Sequence, residues 1–166
     1  MTLQKLKQAT KEISQYREDI ISRLMKYAET DLLLFWGTNE DLVAKQEKLW
    51  QPLLEWAKEE FQTQFVKTQQ LDVPVQDKKT GVRLKLFLES LSDKELAAYY
   101  LAALNMRSVL LAAALVKGRI NAKEAFEAAY LEELYQAEMW GSDDEAETKR
   151  KERLQELCDI EKFLHS

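Results

Sequence analysis

Apolar residues recur at steps of three and four along the first 27 positions, and this spacing constrains the fold more than any other feature of the sequence. A helix advances about 100° per residue, so such residues fall on one stripe. The stripe predicts a long first helix that packs against the rest of the chain. Its members are Leu6, Ala9, Ile13, Tyr16, Ile20, Leu24 and Tyr27.

Composition extends the helical prediction to the whole chain. The 166 residues include only 4 Gly and 2 Pro, and the abundant Ala, Leu, Glu, Lys and Gln lose little side-chain freedom in a helix. The length is usual for one domain. We therefore predict a single helical domain over residues 1–166, an all-α bundle of about six to seven helices. At most a short strand or hairpin is expected near residues 62–81.

Helix boundary signals divide the chain. Residues 38–41 offer a cap and first-turn acids for a second helix that ends near Trp50, and Pro52 suits the first turn of a third. Ser92 and Asn121 are N-cap residues, each followed three positions later by a glutamate. These signals predict helices after both positions.

Stop signals and a break in the pattern complete the division. Gly118 and Gly141 are expected to end helices, and a last helix should start near Ser142 or Asp143. After the third helix, residues 73–75 predict extended chain and residues 77–81 predict a turn. Helix is expected to return at residue 82.

Charge and cysteine content restrict the partners and the compartment. The 29 acidic residues outnumber the 24 basic ones, so the net field repels phosphate backbones and nucleic acid is not an expected partner. The single cysteine, Cys158, cannot form an intramolecular disulfide, which fits a reducing compartment, and we predict that it is an apolar core residue.

Neither a signal peptide nor a membrane anchor is expected. Residues 1–11 contain lysines and polar residues without a continuous apolar run. The most apolar stretch, residues 96–116, contains Asn105, Arg107 and Ser108 at its middle, and arginine costs about 2.5 to 3.5 kcal/mol at the centre of a membrane helix. We predict a buried hairpin of two helices there, with no membrane insertion.

The sequence offers little material for catalysis. The only histidine, His165, lies next to the end of the sequence. Glu-x-x-His pairs, Gly-rich phosphate loops and Cys-x-x-Cys motifs are missing from the sequence. We therefore expect a protein that is not an enzyme and has no catalytic residues, no metal site and no cofactor.

One predicted helix, residues 122–140, carries an acid inside its apolar stripe. Glu133 falls on the same side as Phe126, Tyr130 and Trp140. A desolvated carboxylate needs a partner. Two interpretations stay open: an internal salt bridge, with Arg107 or Arg119 as candidate partners, or a contact with a bound protein.

Three segments resemble the Atp12 family of F1-ATPase assembly chaperones. Residues 27–33, Tyr-Ala-Glu-Thr-Asp-Leu-Leu, resemble its Tyr-x-Asp/Glu-Thr-Asp segment. Residues 50–57, Trp-Gln-Pro-Leu-Leu-Glu-Trp-Ala, are similar to Trp-Asp-Pro-Leu-Leu-x-Trp-Ala. Residues 131–141 are similar to Leu-Glu-Glu-x-Tyr-Gln-x-x-x-Trp-Gly. Three motifs in the family's order make the resemblance specific.

The resemblance implies that the chain binds the unassembled F1 α subunit and prevents its aggregation, in the bacterial cytoplasm or in the mitochondrial matrix of a eukaryote. The partner-binding residues it implies are Glu133, Glu132, Gln136 and Trp140. The motif residues Thr30, Asp31, Trp50, Pro52 and Trp56 are interpreted instead as packing and capping residues.

The sequence departs from the family at two places. Residues 34–36, Leu-Phe-Trp, stand where the family commonly has Cys-Tyr-Arg, so a charge is missing. The β-rich N-terminal domain that precedes the first helix in the family is expected to be absent from these 166 residues.

The sequence leaves two other functions open. A helical module that only makes a homodimer needs no motif beyond an exposed stripe. A hydrolase or isomerase with Glu133 as general base would need a second converging group.

We expect the isolated chain to be helical and monomeric or weakly dimeric, because its apolar stripes pair internally and its charges are mixed in sign. Far-UV circular dichroism and sedimentation velocity measure both properties. A spectrum dominated by strand would contradict the predicted fold.

Overall fold

The computed structural model describes residues 2–166, which form nine α-helices and one 3₁₀ turn. In chain order the elements are α1 (Thr2–Ala28), the 3₁₀ turn (Leu32–Leu34), α2 (Glu40–Leu49), α3 (Gln51–Phe61), α4 (Lys78–Ser90), α5 (Asp93–Met106), α6 (Val109–Val116), α7 (Ala122–Ala129), α8 (Leu131–Trp140) and α9 (Asp144–Leu164). The all-helical prediction is confirmed. The nine helices of residues 2–166 exceed the predicted six to seven; one of the additional helices arises because the helix predicted over residues 122–140 is broken at Tyr130 into α7 and α8.

Helix α6 occupies the centre of the bundle. Seven of its eight residues, from Val109 to Leu115, are buried. Helices α1, α3, α5, α7 and α9 pack around it. The predicted hairpin within residues 96–116 is confirmed, since α5 and α6 are joined at Arg107, whose φ of 56° reverses the chain. None of the helices described here combines the length and apolar composition needed to cross a membrane.

The stripe of α1 faces this centre with two exceptions. Leu6, Ile13 and Leu24 are fully buried, whereas Tyr16 and Tyr27 are exposed. Tyr16 leaves helical geometry, with φ −123° and ψ 28°, so α1 is kinked there. The prediction that both tyrosines lie on the buried stripe is wrong, because the kink and the helix end turn them outward.

The predicted caps form as hydrogen bonds. Ser92 and Glu95 make a complete capping box at the start of α5, and Asn121 and Glu124 make another at α7. Asp143 accepts from the amide of Ala146 at the start of α9. Each cap satisfies amide donors that have no partner within the first turn of a helix.

Residues 62–77 contain no strand. One isolated bridge joins Phe35 to Thr68, and the side chain of Gln76 both donates to and accepts from the backbone of Val66. Helix α4 begins at Lys78, so the turn predicted at residues 77–81 is wrong. The carboxylate of Asp77 accepts from the amide of Lys79 and starts the helix four residues earlier.

Trp36, at the departure from the family pattern, is buried and meets Trp50 edge to face, with 6.0 Å between ring centroids. The ammonium of Lys67 lies 3.6 Å from the Trp36 ring centroid. A cation from another segment therefore occupies the space beside the position where the family commonly has arginine.

Cys158 is half-buried at the edge of the core on α9, and burial raises the pKa of its thiol. The prediction of a core position is therefore met only in part. The fully buried residues of α9 are Leu157 and Ile160.

Asp31 is a fully buried carboxylate that joins the loop after α1 to the start of α6. Its Oδ1 accepts from the amide of Leu33 at 3.0 Å and from Ser108 Oγ at 2.7 Å, and its Oδ2 accepts from the amide of Leu110 at 3.0 Å. Ser108 Oγ in turn accepts from the amide of Leu111. The interpretation of Asp31 as a capping residue is confirmed, and it caps two elements at once.

Replacing Asp31 with alanine should destabilise the fold by about 3 kcal/mol or more, because three buried donors lose their acceptor. Asp41→Ala is the control, since Asp41 is exposed in the first turn of α2. Urea unfolding followed by circular dichroism measures both variants. Equal losses for the two would contradict a central role for Asp31.

Stability should also depend on pH through Asp31. Burial raises the pKa of its carboxyl from 3.8 to about 6, against the lowering effect of its hydrogen-bond donors. Between these values the folded state holds a proton that the unfolded state has released. The wild type should therefore lose about 2 kcal/mol relative to Asp31→Asn as the pH rises from 4 to 6. A constant difference in the free energy of unfolding between the two proteins over this pH range would contradict the raised pKa of Asp31.

Candidate functional site

The helix predicted over residues 122–140 is interrupted at Tyr130, which has φ −104° and ψ 19°. Tyr130 is buried, and its hydroxyl donates to the backbone oxygen of Asn105 at 2.8 Å. Burial is the main reason that the pKa of this phenol is raised. The predicted continuous stripe is therefore wrong, because α8 takes a new direction after this anchored residue.

Beyond the break, α8 packs on α2 and α7 through one side only. Leu131 is buried, Leu134 is half-buried against the core, and the Tyr135 hydroxyl lies 3.3 Å from Asn39 Oδ1 at the start of α2. These residues fall on one side of a helix with 3.6 residues per turn. The opposite side of α8 faces solvent.

That outer side carries all four residues implied by the family resemblance. Glu132, Glu133 and Gln136 are exposed, and Trp140 is 76% exposed. Helical geometry places them on one arc of about 100°. We call these four residues, together with Met139, the α8 face.

Sequence reasoning missed Met139, which is exposed beside Glu132. Its position outside the predicted stripe hid it, because Met139 lies about 100° around the helix from Trp140. An exposed Trp and Met on a single turn form an apolar contact area among acids and an amide.

Glu133 has a different partner from those predicted. Its carboxylate lies 3.4 Å from Arg150 of α9, and neither Arg107 nor Arg119 contacts it. The Glu133 side chain is 45% exposed, whereas that of Arg150 is 12% exposed. Arg150 also donates to Ser142 Oγ at 2.6 Å, so it joins α8, the turn at Gly141 and α9. The carboxylate keeps free acceptor positions toward solvent.

Acidic charge is concentrated around the α8 face. Nine of the 29 acidic residues and none of the 24 basic residues lie between positions 124 and 148, which leaves 20 acids, 24 bases and a net charge of +4 for the rest of the chain. Two bases just outside this segment pair with its acids, Lys149 with Glu145 and Arg150 with Glu133, and the segment keeps a net negative charge. A negative field over this corner attracts basic surfaces and accelerates their encounter.

Of the remaining motif residues, Trp50 and Asp31 are buried, Trp56 is half-buried, and Thr30 and Pro52 are exposed. Trp50 is buried, and its indole nitrogen donates to the backbone oxygen of Ala128 at 2.7 Å. Pro52 lies in the first turn of α3, and Trp56 meets Phe61 edge to face. Thr30 is exposed next to the buried Asp31. These contacts confirm that Trp50, Pro52, Trp56 and Asp31 serve packing and capping.

Comparison with known proteins places these features in a family. Residues 1–58 match the family described as ATP12 chaperone protein. The crystal structure of Atp12 from Paracoccus denitrificans superposes with a TM-score of 0.92 at 30% identity, covering 99% of this chain and 72% of that one. A mutant form of the same protein gives a TM-score of 0.93 at 30% identity, and the superposition covers 99% of this chain and 71% of that one.

A curated relative is longer. The mitochondrial protein atp12 of Schizosaccharomyces pombe is 27% identical over 150 residues, which cover 81% of this chain and 50% of the relative. The chain therefore spans half the length of that relative.

Glu133→Gln should leave stability within about 1 kcal/mol of the wild type, because the carboxylate is half exposed and its ion pair is long. Arg150→Ala should cost more, because the largely buried guanidinium also contacts Ser142. Thermal unfolding of both variants measures their loss of stability relative to the wild type. A loss of about 3 to 5 kcal/mol for Glu133→Gln would show that the acid is a structural ion-pair partner.

Proposed function

The chain belongs to the Atp12 family, and from this membership we propose that it is an assembly chaperone of the F1 sector of ATP synthase. Its client is the unassembled α subunit, whose aggregation it prevents. One observation carries the proposal: the segment most similar to the family's Glu-Glu-x-Tyr-Gln-x-x-x-Trp-Gly motif presents Glu132, Gln136 and Trp140 to solvent outside the core. An exposed motif needs a partner to account for it.

The α8 face has the chemistry that a folding client requires. An unassembled subunit exposes apolar surface that aggregates unless it is covered. Trp140 and Met139 offer apolar contact, while Glu132 and Gln136 offer hydrogen-bond acceptors that orient it. Large aromatic residues contribute disproportionately to binding energy at such surfaces.

Glu133 is the residue we expect to contribute most to client binding. Its ion pair with Arg150 holds the carboxylate in place while leaving acceptor positions free. An arginine or backbone donor on the client can bind there, and Arg150 keeps the carboxylate oriented. The negative field of residues 124–148 favours a basic client surface.

Residues 1–166 are proposed to act as one helical domain that carries this face. The site of action is the bacterial cytoplasm, or the mitochondrial matrix if the source is a eukaryote. The name of the Schizosaccharomyces pombe relative, with its mitochondrial location, supports the second case.

The protein should suppress aggregation of isolated α subunit without ATP, because the sequence contains no Gly-rich nucleotide loop that would couple hydrolysis to release. Light scattering after dilution of unfolded α subunit, with and without ATP, tests this. Suppression that requires ATP would contradict the proposal, and self-association without α-subunit binding would favour a homodimer module.

Glu133→Gln should weaken α-subunit binding about tenfold or more, because the client loses a charged partner. Glu60→Gln, an exposed glutamate on α3, is the matched control and should bind normally. Affinity is measured by pull-down at several client concentrations, alongside thermal unfolding. Normal binding by Glu133→Gln would make the adjacent Glu132 the candidate.

A further inference from the structure

Helix α4 exposes two aliphatic residues on its outer side. Val82 is 60% exposed and Leu86 is 56% exposed, one turn apart, whereas Leu84 and Leu88 are buried in the core. Thr80 is buried as well, and its hydroxyl lies 2.7 Å from Thr63 Oγ1. The inner side of α4 therefore packs in the core, whereas Val82 and Leu86 on its outer side do not.

Four basic residues flank this pair. At 100° per residue, Lys78 and Lys85 lie on one side of the pair, and Lys79 and Arg83 lie on the other. All four are exposed, and within residues 2–166 none of them forms an ion pair. We call the aliphatic pair and the four bases the α4 face. No acid occurs between positions 78 and 88.

Three acids lie next to this face. Asp77 uses its carboxylate to cap α4, Glu89 is exposed one turn beyond Leu86 on the same side of the helix, and Glu29 lines one cavity together with Lys78. The four bases outnumber them. The acidic segment 124–148 belongs to α7, α8 and the start of α9, whereas α4 packs on α1 and α3. The α4 face therefore keeps its own positive field in a protein whose net charge is −5.

We propose that the α4 face binds the surface of an anionic lipid bilayer, with the helix lying in the plane of the interface. Lipid phosphates complement its charge on both flanks, and the aliphatic pair enters the boundary between headgroups and acyl chains. Lysine and arginine stems are long enough to reach phosphates while their carbon chains cover apolar surface. The contact is peripheral, in keeping with the absence of a membrane-spanning helix from the described residues.

Shape favours a bilayer over an acidic protein as the occupant. The pair protrudes from a convex helix surface, so a protein partner would need a matching pocket, whereas a fluid interface adapts to it. The loop that leads into α4 adds exposed aliphatic groups, since Leu71 is fully exposed and Val75 is 89% exposed, although the charged residues of positions 71–77, Asp72 and Asp77, are acidic.

The test is co-sedimentation of the full chain, at low ionic strength, with phosphatidylcholine vesicles in which about one lipid in three is phosphatidylglycerol. We expect binding to these vesicles, release at high salt, and little binding to pure phosphatidylcholine. The variant Lys79→Glu/Arg83→Glu should partition about tenfold or more weakly.

Lys48→Glu/Lys58→Glu is the matched control, because these exposed lysines on α2 and α3 give the same change in net charge. It should bind the anionic vesicles at least several-fold more tightly than the α4 variant. Val82→Ser/Leu86→Ser keeps the charge and should bind several-fold more weakly than wild type. Equal losses in the two charge variants, or an unchanged serine variant, would overturn the proposal, as would equal binding to neutral vesicles.

Discussion

The buried carboxylate of Asp31 is the interaction on which the arrangement of the helices depends. It is fully buried, it forms no ion pair within residues 2–166, and its charge is met by backbone amides and a hydroxyl at the start of α6. An ionised group in a core needs such donors, so the first residues of α6 must lie against the loop that carries Asp31. The amide of Leu32 also donates to the backbone oxygen of Arg107, which adds a second link at the same place.

Fixing the start of α6 fixes the centre of the bundle. Alanine-rich segments of α5 and α6 pack closely there, and Tyr99 donates its hydroxyl to the backbone oxygen of Val109 at the same junction. Further out, Tyr130 donates to Asn105, and Asn105 donates to Glu156 on α9. This chain of buried polar contacts holds the break between α7 and α8, and so sets the direction in which α8 presents its outer face.

Charge separates the surface into two regions with different chemistry. The α8 face lies in a segment with nine acids and no bases, and the α4 face lies in one with four bases and no acids. Each has exposed apolar side chains at its centre, which the fold does not require. A chaperone that holds a basic client at one corner and a membrane at another would keep the client near the bilayer during assembly.

Local signals in the sequence determined the helical class and most helix ends, because caps such as Ser92 with Glu95 act within one turn of chain. The family resemblance likewise implied four of the five residues of the α8 face, and Met139 was missed. Tertiary structure decided the rest. The early start of α4, the outward turn of Tyr16 and the break at Tyr130 depend on contacts or backbone geometry that no local pattern specifies. Glu133 met Arg150, rather than Arg107 or Arg119, because the direction of α8 after the break brings it against α9, and pairing across distant segments follows from packing and not from spacing.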